Sequence, residues 1–308
     1  MATAVAAPGR GGAVVAPRPR GRGRSVVTIV LVVIAVIAIW EGLKFVAGTP
    51  WRVPGAGLES PIVWRPPFYW QHANDLNLPH VWSIAIALGE PFQSGTHESL
   101  AQYLFGAALY TWRSAAVGFV LGAALGLVLA TIFVHSRLLE RALVPYVVAS
   151  QTVPIIALAP LIVFALGQGL LAVVLIATYL TFFPVTIAMI RGLRSFDPRA
   201  FELMRSYAAS PAEIYRKLRL PASLPYLFTA LKIAATASIV GAIIGEDTGA
   251  IQQGLGRVIT TFNQYYATGP EKLWASILAS ALLGTAFFLV IRLLEVAVLR
   301  GRPAAVEG

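Results

Sequence analysis

Two short groups of polar and aromatic residues lie inside apolar stretches of the chain, each just before a proline. They are Gln151, Thr152, Tyr179, Thr181 and Phe182. An internal proline removes a helical hydrogen bond and frees carbonyl groups that can face a cavity. Together these residues present amide, hydroxyl and aromatic surfaces, which would suit a planar heterocycle on a translocation path. A satisfied polar pair with aromatic side chains facing lipid is the alternative interpretation.

Few residues in this sequence could support catalysis or bind a metal. No cysteine is present, and the four histidines lack the spacing of metal ligands. No apolar stretch holds paired carboxylates or a histidine pair, so an integral membrane enzyme would lack its catalytic cluster. The phosphate-binding pattern G-x-x-x-x-G-K-[ST] is also missing from the sequence. We therefore predict a chain that is not an enzyme and that holds no metal or cofactor of its own.

The composition indicates that lipid is the main solvent of this chain. Apolar residues make up 57% of the 308 residues and charged residues only 12%, against roughly 25% charged residues in soluble domains. Mean hydropathy is +0.73. These values exclude a soluble enzyme and predict an all-α, polytopic membrane protein with six transmembrane helices. The six apolar stretches of sufficient length are Val26–Val46, Ser114–Val134, Leu143–Gly167, Gly169–Ile190, Leu224–Gly245 and Trp274–Leu294.

The placement of basic residues predicts the orientation of these spans. Sixteen of the 24 Lys and Arg residues fall in segments that share one side of the membrane if all six stretches cross it. The positive-inside rule assigns that side to the cytoplasm, so both termini are expected there. The net charge of +10 is then an orientation signal, and we expect no nucleic-acid partner.

The predicted spans divide the chain into four parts. Residues 1–25 are rich in Ala, Gly, Pro and Arg and are expected to be a disordered, basic cytoplasmic tail. Residues 26–107 contain the first span and an external loop, in which His80–Gly89 is expected to lie along the membrane interface. Residues 108–298 hold the other five spans, and 299–308 form a second cytoplasmic tail. A cleaved secretory signal is the alternative for the first span, although its apolar run lacks a small residue at the cleavage position.

The link between the fourth and fifth spans, residues 191–223, is the most strongly patterned charged segment. It contains two helix-starting patterns, Asp197-Pro198 and the capping box Ser210-Pro211-Ala212-Glu213. They predict two short helices, about 198–208 and 211–219, with Pro221 ending the second. An apolar stripe at helical spacing comprises Phe201, Met204, Ala208, Ile214 and Leu218. The stripe could enter a groove on another protein or pack on its own chain.

Small and charged residues inside the spans allow further expectations. Two spans carry small residues at every fourth position, namely Gly118, Gly122 and Gly126, and Ala237, Gly241 and Gly245. Such ridges let helices pack closely, either within one subunit or at the moving interface of a dimer. We expect Lys232 to reach the cytoplasmic interface with its ammonium group. Glu246 and Asp247 are expected to be solvated at the outer end of the fifth span.

The link resembles the cytoplasmic signature of binding-protein-dependent ABC import permeases, which reads E-A-A, three residues, G, nine residues, I-x-L-P. Glu202 occupies the Glu position, Ala208 the Gly position, and Leu218-Arg219-Leu220-Pro221 the I-x-L-P positions. Leu203, Met204 and Ala208 depart from the usual residues. Ala208 would cost about 1 kcal/mol if the turn needs a left-handed backbone. The resemblance extends from Leu78 to the last span.

The resemblance implies that residues 191–223 form a coupling loop, which docks on a separate ATPase subunit. The ATPase-contact residues that it implies are Glu202, Ala208, Ser210, Pro211, Leu218, Leu220 and Pro221. It also implies two ATPase subunits that bind ATP, an external solute-binding protein and a second permease copy in a homodimer. The expected location is the bacterial inner membrane. ATP-driven closure of the ATPase pair would reach the spans through the predicted helical hairpin.

Three stretches are more similar to permeases for vitamin heterocycles than to those for sulfonate, taurine or nitrate. They read FELMRSYAAS, LPASLPYLFTALKIAATASIVGAIIGE and FNQYYATGPEKLWASILASALLG. The resemblance thus implies riboflavin or a related heterocycle, such as the hydroxymethylpyrimidine precursor of thiamine, as the solute. Sulfonate, taurine or nitrate is the alternative. A secondary transporter, the competing class, would need ionisable groups near the middle of a span, and the sequence indicates none there.

Overall fold

The computed structural model describes residues 22–52 and 61–300, which divide into two compact units on either side of residue 74. Of the two predicted tails, residues 1–21 and 301–308 lie outside the described residues. Helix α1 runs from Arg22 to Val46 and begins four residues before the predicted span. This earlier start places Arg22 and Arg24, which were assigned to the tail, in the first turn of the helix.

The first unit continues from α1 into a small antiparallel hairpin. Strand β1 (Trp51–Arg52) pairs with β2 (Ile62–Trp64), and Trp51 lies opposite Trp64. The Trp64 ring stacks on Phe45 with 4.6 Å between centroids, and its indole N–H donates to the Phe45 carbonyl at 2.9 Å. Trp64 of the predicted external loop therefore packs on the end of the first helix.

The second unit is a helical bundle. Its helices are α2 (Val81–Ala87), α3 (Leu100–His135), α4 (Arg137–Ser150), α5 (Ile155–Leu166), α6 (Leu170–Gly192), α7 (Pro198–Ser206), α8 (Pro211–Ile214), α9 (Leu220–Gly245), α10 (Leu255–Gln264) and α11 (Pro270–Leu299). Helix α2, expected to lie along the membrane interface, packs its buried Ile84 and Ala87 into an apolar cluster with the start of α3 and with α10. At 1.5 Å per residue, the 36 residues of α3 extend well beyond the hydrocarbon core.

Within residues 22–52 and 61–300, five helices are long and apolar enough to cross a membrane, and the number is six if the bent pair α4 and α5 counts as one span. The sequence predicted that third span, Leu143–Gly167, as a single helix. Instead, α4 and α5 meet at an angle of 99° across Gln151–Pro154. The break follows from Pro154, which lacks an N–H group and restricts the residue before it to extended conformations.

Helix α6 is the centre of the bundle because both ridges of small residues pack against it. A methyl group added at Gly122 of α3 would lie 2.7 Å from the Thr178 carbonyl oxygen, and one added at Gly241 of α9 would lie 2.8 Å from the Ala177 Cα. Gly118, Gly126 and Gly245 make equally close approaches to the same helix. The ridges therefore serve helix packing within one chain.

The sequence predicted that Pro221 ends the second helix of the hairpin, but the helix continues past this residue. Helix α8 continues through a π-helical turn (Tyr215–Arg219) into α9, with Pro221 near the first position of α9. In this turn the Leu220 N–H bonds to the Tyr215 carbonyl, five residues back. The wider ring of a π turn accommodates a proline without breaking the helix.

Candidate functional site

The helical hairpin of α7 and α8 is built by local caps that the sequence specifies. The Arg199 N–H donates to Asp197 Oδ1 at 2.9 Å and caps α7. The Ser210 N–H donates to Glu213 Oε2 at 3.0 Å, and the Glu213 N–H donates to Ser210 Oγ at 3.3 Å, which completes the predicted capping box of α8. Hydrogen bonds from Ser210 and Lys217 hold the pKa of the exposed Glu213 carboxyl below its usual value.

The turn between the two helices uses the left-handed backbone that the signature glycine position indicates. Ala208 has φ = 56°, the only positive φ of a non-glycine residue in the described ranges. Its N–H bonds to the Arg205 carbonyl, and the Ala209 N–H bonds to the Met204 carbonyl. The turn thus keeps a left-handed geometry despite the alanine, at a cost in backbone energy.

The hairpin turns most of its predicted apolar stripe toward its own chain. Ile214 is buried, and Phe201 contacts Phe196 with 5.3 Å between ring centroids. The opposite face of α7 carries Leu203, 58% exposed, and Tyr207, 80% exposed. The sequence pattern did not single out these two residues, because it indicated only the apolar stripe. The available signal was Leu203, which occupies a position where the permease signature usually has alanine.

Three contacts hold the hairpin against the spans. Tyr215 Oη and Thr131 Oγ1 are 2.8 Å apart, which connects the π turn to α3. The Arg194 guanidinium donates two hydrogen bonds to the Glu140 carboxylate, at 2.8 and 2.6 Å, and so connects the link to α4. This pairing raises the pKa of Arg194 above its ordinary value. The third contact is the continuous helix from α8 into α9.

The residues implied as ATPase contacts divide into two groups in the structure. Glu202, Ala208, Ser210 and Pro211 are exposed on the hairpin. Leu218, Leu220 and Pro221 are only partly exposed, since they lie in the π turn and in the first turn of α9.

Several predicted translocation-path residues meet at the break between α4 and α5. The Tyr179 hydroxyl of α6 donates to the Ser150 carbonyl, and the Tyr179 and Phe182 rings lie 5.9 Å apart. The Gln151 side-chain N–H₂ is buried and has no partner within the described part of the chain. Thr152 is exposed beside it. The break therefore holds a buried amide without a partner, one residue after the carbonyl that the Tyr179 hydroxyl contacts.

Thr181 occupies a different place from the other predicted path residues. Its side chain is fully buried, and a methyl group added at Gly122 of α3 would lie 2.6 Å from the Thr181 Cβ. Thr181 therefore lies in the packing between α3 and α6, with no open surface for a solute within this chain.

The expectation that Glu246 is solvated was wrong. Glu246 is fully buried; its Oε2 accepts hydrogen bonds from Thr111 Oγ1 at 2.9 Å and from the Gly256 N–H at 3.0 Å. It is buried because the chain turns back after α9 and places the start of α10 over the carboxylate. The Lys232 ammonium, expected to reach the cytoplasmic interface, pairs with Glu295 near the C-terminal end of α11 at 2.8 Å.

Among the described residues, no group of three or more His, Cys, Asp and Glu side chains could hold a metal ion.

Known proteins similar to this chain are transport permeases. The chain is 36% identical over 183 residues to the formylaminopyrimidine transport permease protein ThiX of Halalkalibacterium halodurans, covering 58% of this chain and 70% of that protein. It is 31% identical over 161 residues to the riboflavin transport system permease protein RibX of Chloroflexus aurantiacus, covering 52% and 59%. It is also 30% identical over 225 residues to the putative aliphatic sulfonates transport permease protein SsuC of Bacillus subtilis, covering 73% and 78%.

A solved structure titled "Crystal structure of an amino acid ABC transporter with histidines" shares the fold, with a TM-score of 0.53 at 17% identity over 63% of this chain and 94% of that one. A family model described as the inner membrane component of binding-protein-dependent transport systems matches residues 122–300. The hairpin, the break and helices α6 and α9 all fall within this match. The chain therefore belongs to the family of binding-protein-dependent transport system inner membrane components, and it is the membrane permease subunit of an ABC importer and not an enzyme.

Proposed function

We propose that the hairpin of α7 and α8 docks on an ATPase subunit and transmits its motion to the spans. The observation that carries this proposal is the outward face of α7, where Leu203 and Tyr207 are exposed beside Glu202. A large aromatic and an aliphatic side chain held outward on a capped helix form an apolar contact for a partner.

The attachment of the hairpin supports a transmitting role. Tyr215 connects it to α3, Arg194 connects its base to α4, and the continuous helix connects it to α9. A displacement of the docked face therefore reaches three spans through hydrogen bonds and backbone. We further propose a homodimer of this chain with two ATPase subunits, which takes its solute from an external binding protein.

The coupling role can be tested with substitutions on the exposed face of α7. The tagged chain is purified from its native membranes, the co-purifying ATPase is identified, and the complex is reassembled in lipid. Glu202→Arg and Tyr207→Ala are expected to abolish ATPase capture and solute uptake while membrane insertion stays normal. Arg216→Ala changes an exposed residue outside this face and serves as the control. Normal uptake by Glu202→Arg, or uptake without any ATPase, would refute the coupling role.

For the solute, we propose a vitamin-type heterocycle, with riboflavin or hydroxymethylpyrimidine as the leading members. Two of the similar permeases are named for formylaminopyrimidine and riboflavin. The Gln151 amide and the Tyr179 and Phe182 rings offer hydrogen bonding and stacking to such a ring. Sulfonate transport is the alternative, since one relative is named for aliphatic sulfonates.

The solute can be identified through the external binding protein that co-purifies with the chain. Its binding is measured by calorimetry for riboflavin, hydroxymethylpyrimidine, taurine and nitrate, and uptake is then followed in the reassembled importer. Gln151→Leu is expected to reduce heterocycle uptake at least several-fold, whereas Gln168→Leu, at the turn between α5 and α6, leaves it unchanged. Tight binding of taurine without binding of either heterocycle would overturn the substrate proposal and leave the coupling proposal standing.

A further inference from the structure

Four arginines converge on one cleft beside the base of the hairpin. They come from three different segments and are Arg137, Arg141, Arg194 and Arg219. The cleft has a volume of about 720 Å³. In the sequence these three segments lie far apart, and only the folded structure brings their arginines together.

The cleft carries a strong excess of positive charge. Glu140 is the only carboxylate among its described lining residues, and it is held by Arg194. In the described part of the chain, Arg137, Arg141 and Arg219 form no salt bridge with a carboxylate. Arg219 instead lies over the Phe196 ring, 5.2 Å from its centroid. With one carboxylate among four guanidinium groups, the cleft keeps an excess of positive charge that favours a further anion.

The cleft lies at the end of an apolar helix that is long enough to cross a membrane, where lipid headgroups are expected. Val134 is in the last turn of the long apolar helix α3, and Arg137 follows three residues later at the start of α4. Beside the arginines, Val134, Val144 and Pro145 form an apolar wall. A ligand that fits has a negatively charged group for the guanidinium groups and an apolar part for this wall.

We propose that this cleft binds the phosphate group of an anionic phospholipid from the cytoplasmic leaflet. Guanidinium groups bind phosphate oxygens in pairs, and basic pockets between membrane helices on this side bind anionic headgroups. The apolar wall favours a lipid over free phosphate, which has no apolar part. Because Arg194 and Arg219 lie before and after the hairpin, a bound headgroup would also steady its base.

The test uses the full chain in nanodiscs of phosphatidylcholine with or without phosphatidylglycerol. Bound lipid is counted by native mass spectrometry, and affinity is measured by titrating phosphatidylglycerol. The double variant Arg137→Gln/Arg141→Gln is expected to bind phosphatidylglycerol about 10- to 30-fold more weakly, from about one kcal/mol per basic residue. The control pair Arg191→Gln/Arg199→Gln removes the same charge from exposed positions outside the cleft and should retain wild-type binding.

Two further measurements distinguish a lipid headgroup from free phosphate and from general surface attraction. Arg137→Lys/Arg141→Lys keeps the charge but loses paired hydrogen bonding, so it should bind with intermediate affinity, and it also tests the site if the glutamine pair folds poorly. Equal losses in the cleft pair and the control pair would overturn the proposal, because they would show general surface attraction. It would equally be overturned if inorganic phosphate in pure phosphatidylcholine discs stabilised the chain as much as phosphatidylglycerol does.

Discussion

Thr111 of α3 and Glu246 at the end of α9 are joined by a buried hydrogen bond of 2.9 Å between residues 135 positions apart in sequence. The same threonine oxygen accepts from the Leu255 N–H at 2.8 Å, and the same carboxylate oxygen accepts from the Gly256 N–H. These hydrogen bonds therefore hold the start of α10 against α3 and the end of α9.

Replacing Glu246 with alanine is expected to destabilise the chain by about 2–4 kcal/mol, because the Gly256 N–H and the Thr111 hydroxyl lose a buried acceptor. Glu246→Gln keeps an acceptor oxygen in nearly the same shape and should cost about 1 kcal/mol or less. Both values can be measured from denaturant unfolding of the purified chain in detergent. Equal stability of the two variants would show that the carboxylate is not an acceptor for these groups.

Gly122→Ala should destabilise the chain by about 1–3 kcal/mol through overpacking. Its added methyl group would lie 2.7 Å from the Thr178 carbonyl oxygen of α6, a backbone atom that cannot easily move. Gly106→Ala is the matched control on the same helix, since nothing lies within 4 Å of its added methyl group. That control should be neutral or gain up to about 1 kcal/mol from helix propensity. The unfolding temperature of each variant, measured by size-exclusion chromatography after heating, distinguishes the two. Similar changes in unfolding temperature for both variants would contradict the close packing of α3 on α6.

Ala208→Gly is expected to stabilise the hairpin by about 1 kcal/mol, because glycine adopts the left-handed φ of 56° without a Cβ clash. Ala209→Gly changes the neighbouring residue, which does not have a positive φ, and should destabilise by about 0.5–1 kcal/mol. The free energies of unfolding of the two variants should thus move in opposite directions. A loss of stability in Ala208→Gly would mean that the turn is not left-handed.

Lys232→Met should destabilise the bundle by about 3–5 kcal/mol, since it leaves Glu295 with an uncompensated charge between α9 and α11. The double variant Lys232→Met/Glu295→Leu removes both charges and is expected to recover most of that loss. The double-mutant cycle on unfolding free energy measures the coupling of the pair. Additive effects of the two single changes would show that they do not interact.

The sequence was sufficient to predict the features that depend on local chemistry. The length of the apolar stretches predicted the membrane-spanning helices. The helix caps at Asp197 and Ser210 form the hydrogen bonds that their sequence patterns predicted. Features that depend on long-range contacts were missed. The burial of Glu246 depends on α10 folding back over it, and the partner of Lys232 lies 63 residues away.

The outward face of α7 was missed for a related reason. An apolar stripe predicts that a helix face is buried, but it does not show whether the same chain or a partner covers that face. Here Ile214 and Phe201 are covered by their own chain, so Leu203 and Tyr207 are left outside. Likewise, Pro154 indicated a disturbance in the third span, but a proline alone does not determine a bend of 99°.

The close approach of two glycine ridges to α6 has a consequence for how the importer can move. With backbone against backbone at Gly122 and Gly241, α6 has no room to slide or rotate between its neighbours. Helices α3, α6 and α9 therefore form a single mechanical part. Any movement of the bundle must carry these three helices together, and within the described residues the 151–154 break is a place where the chain can bend.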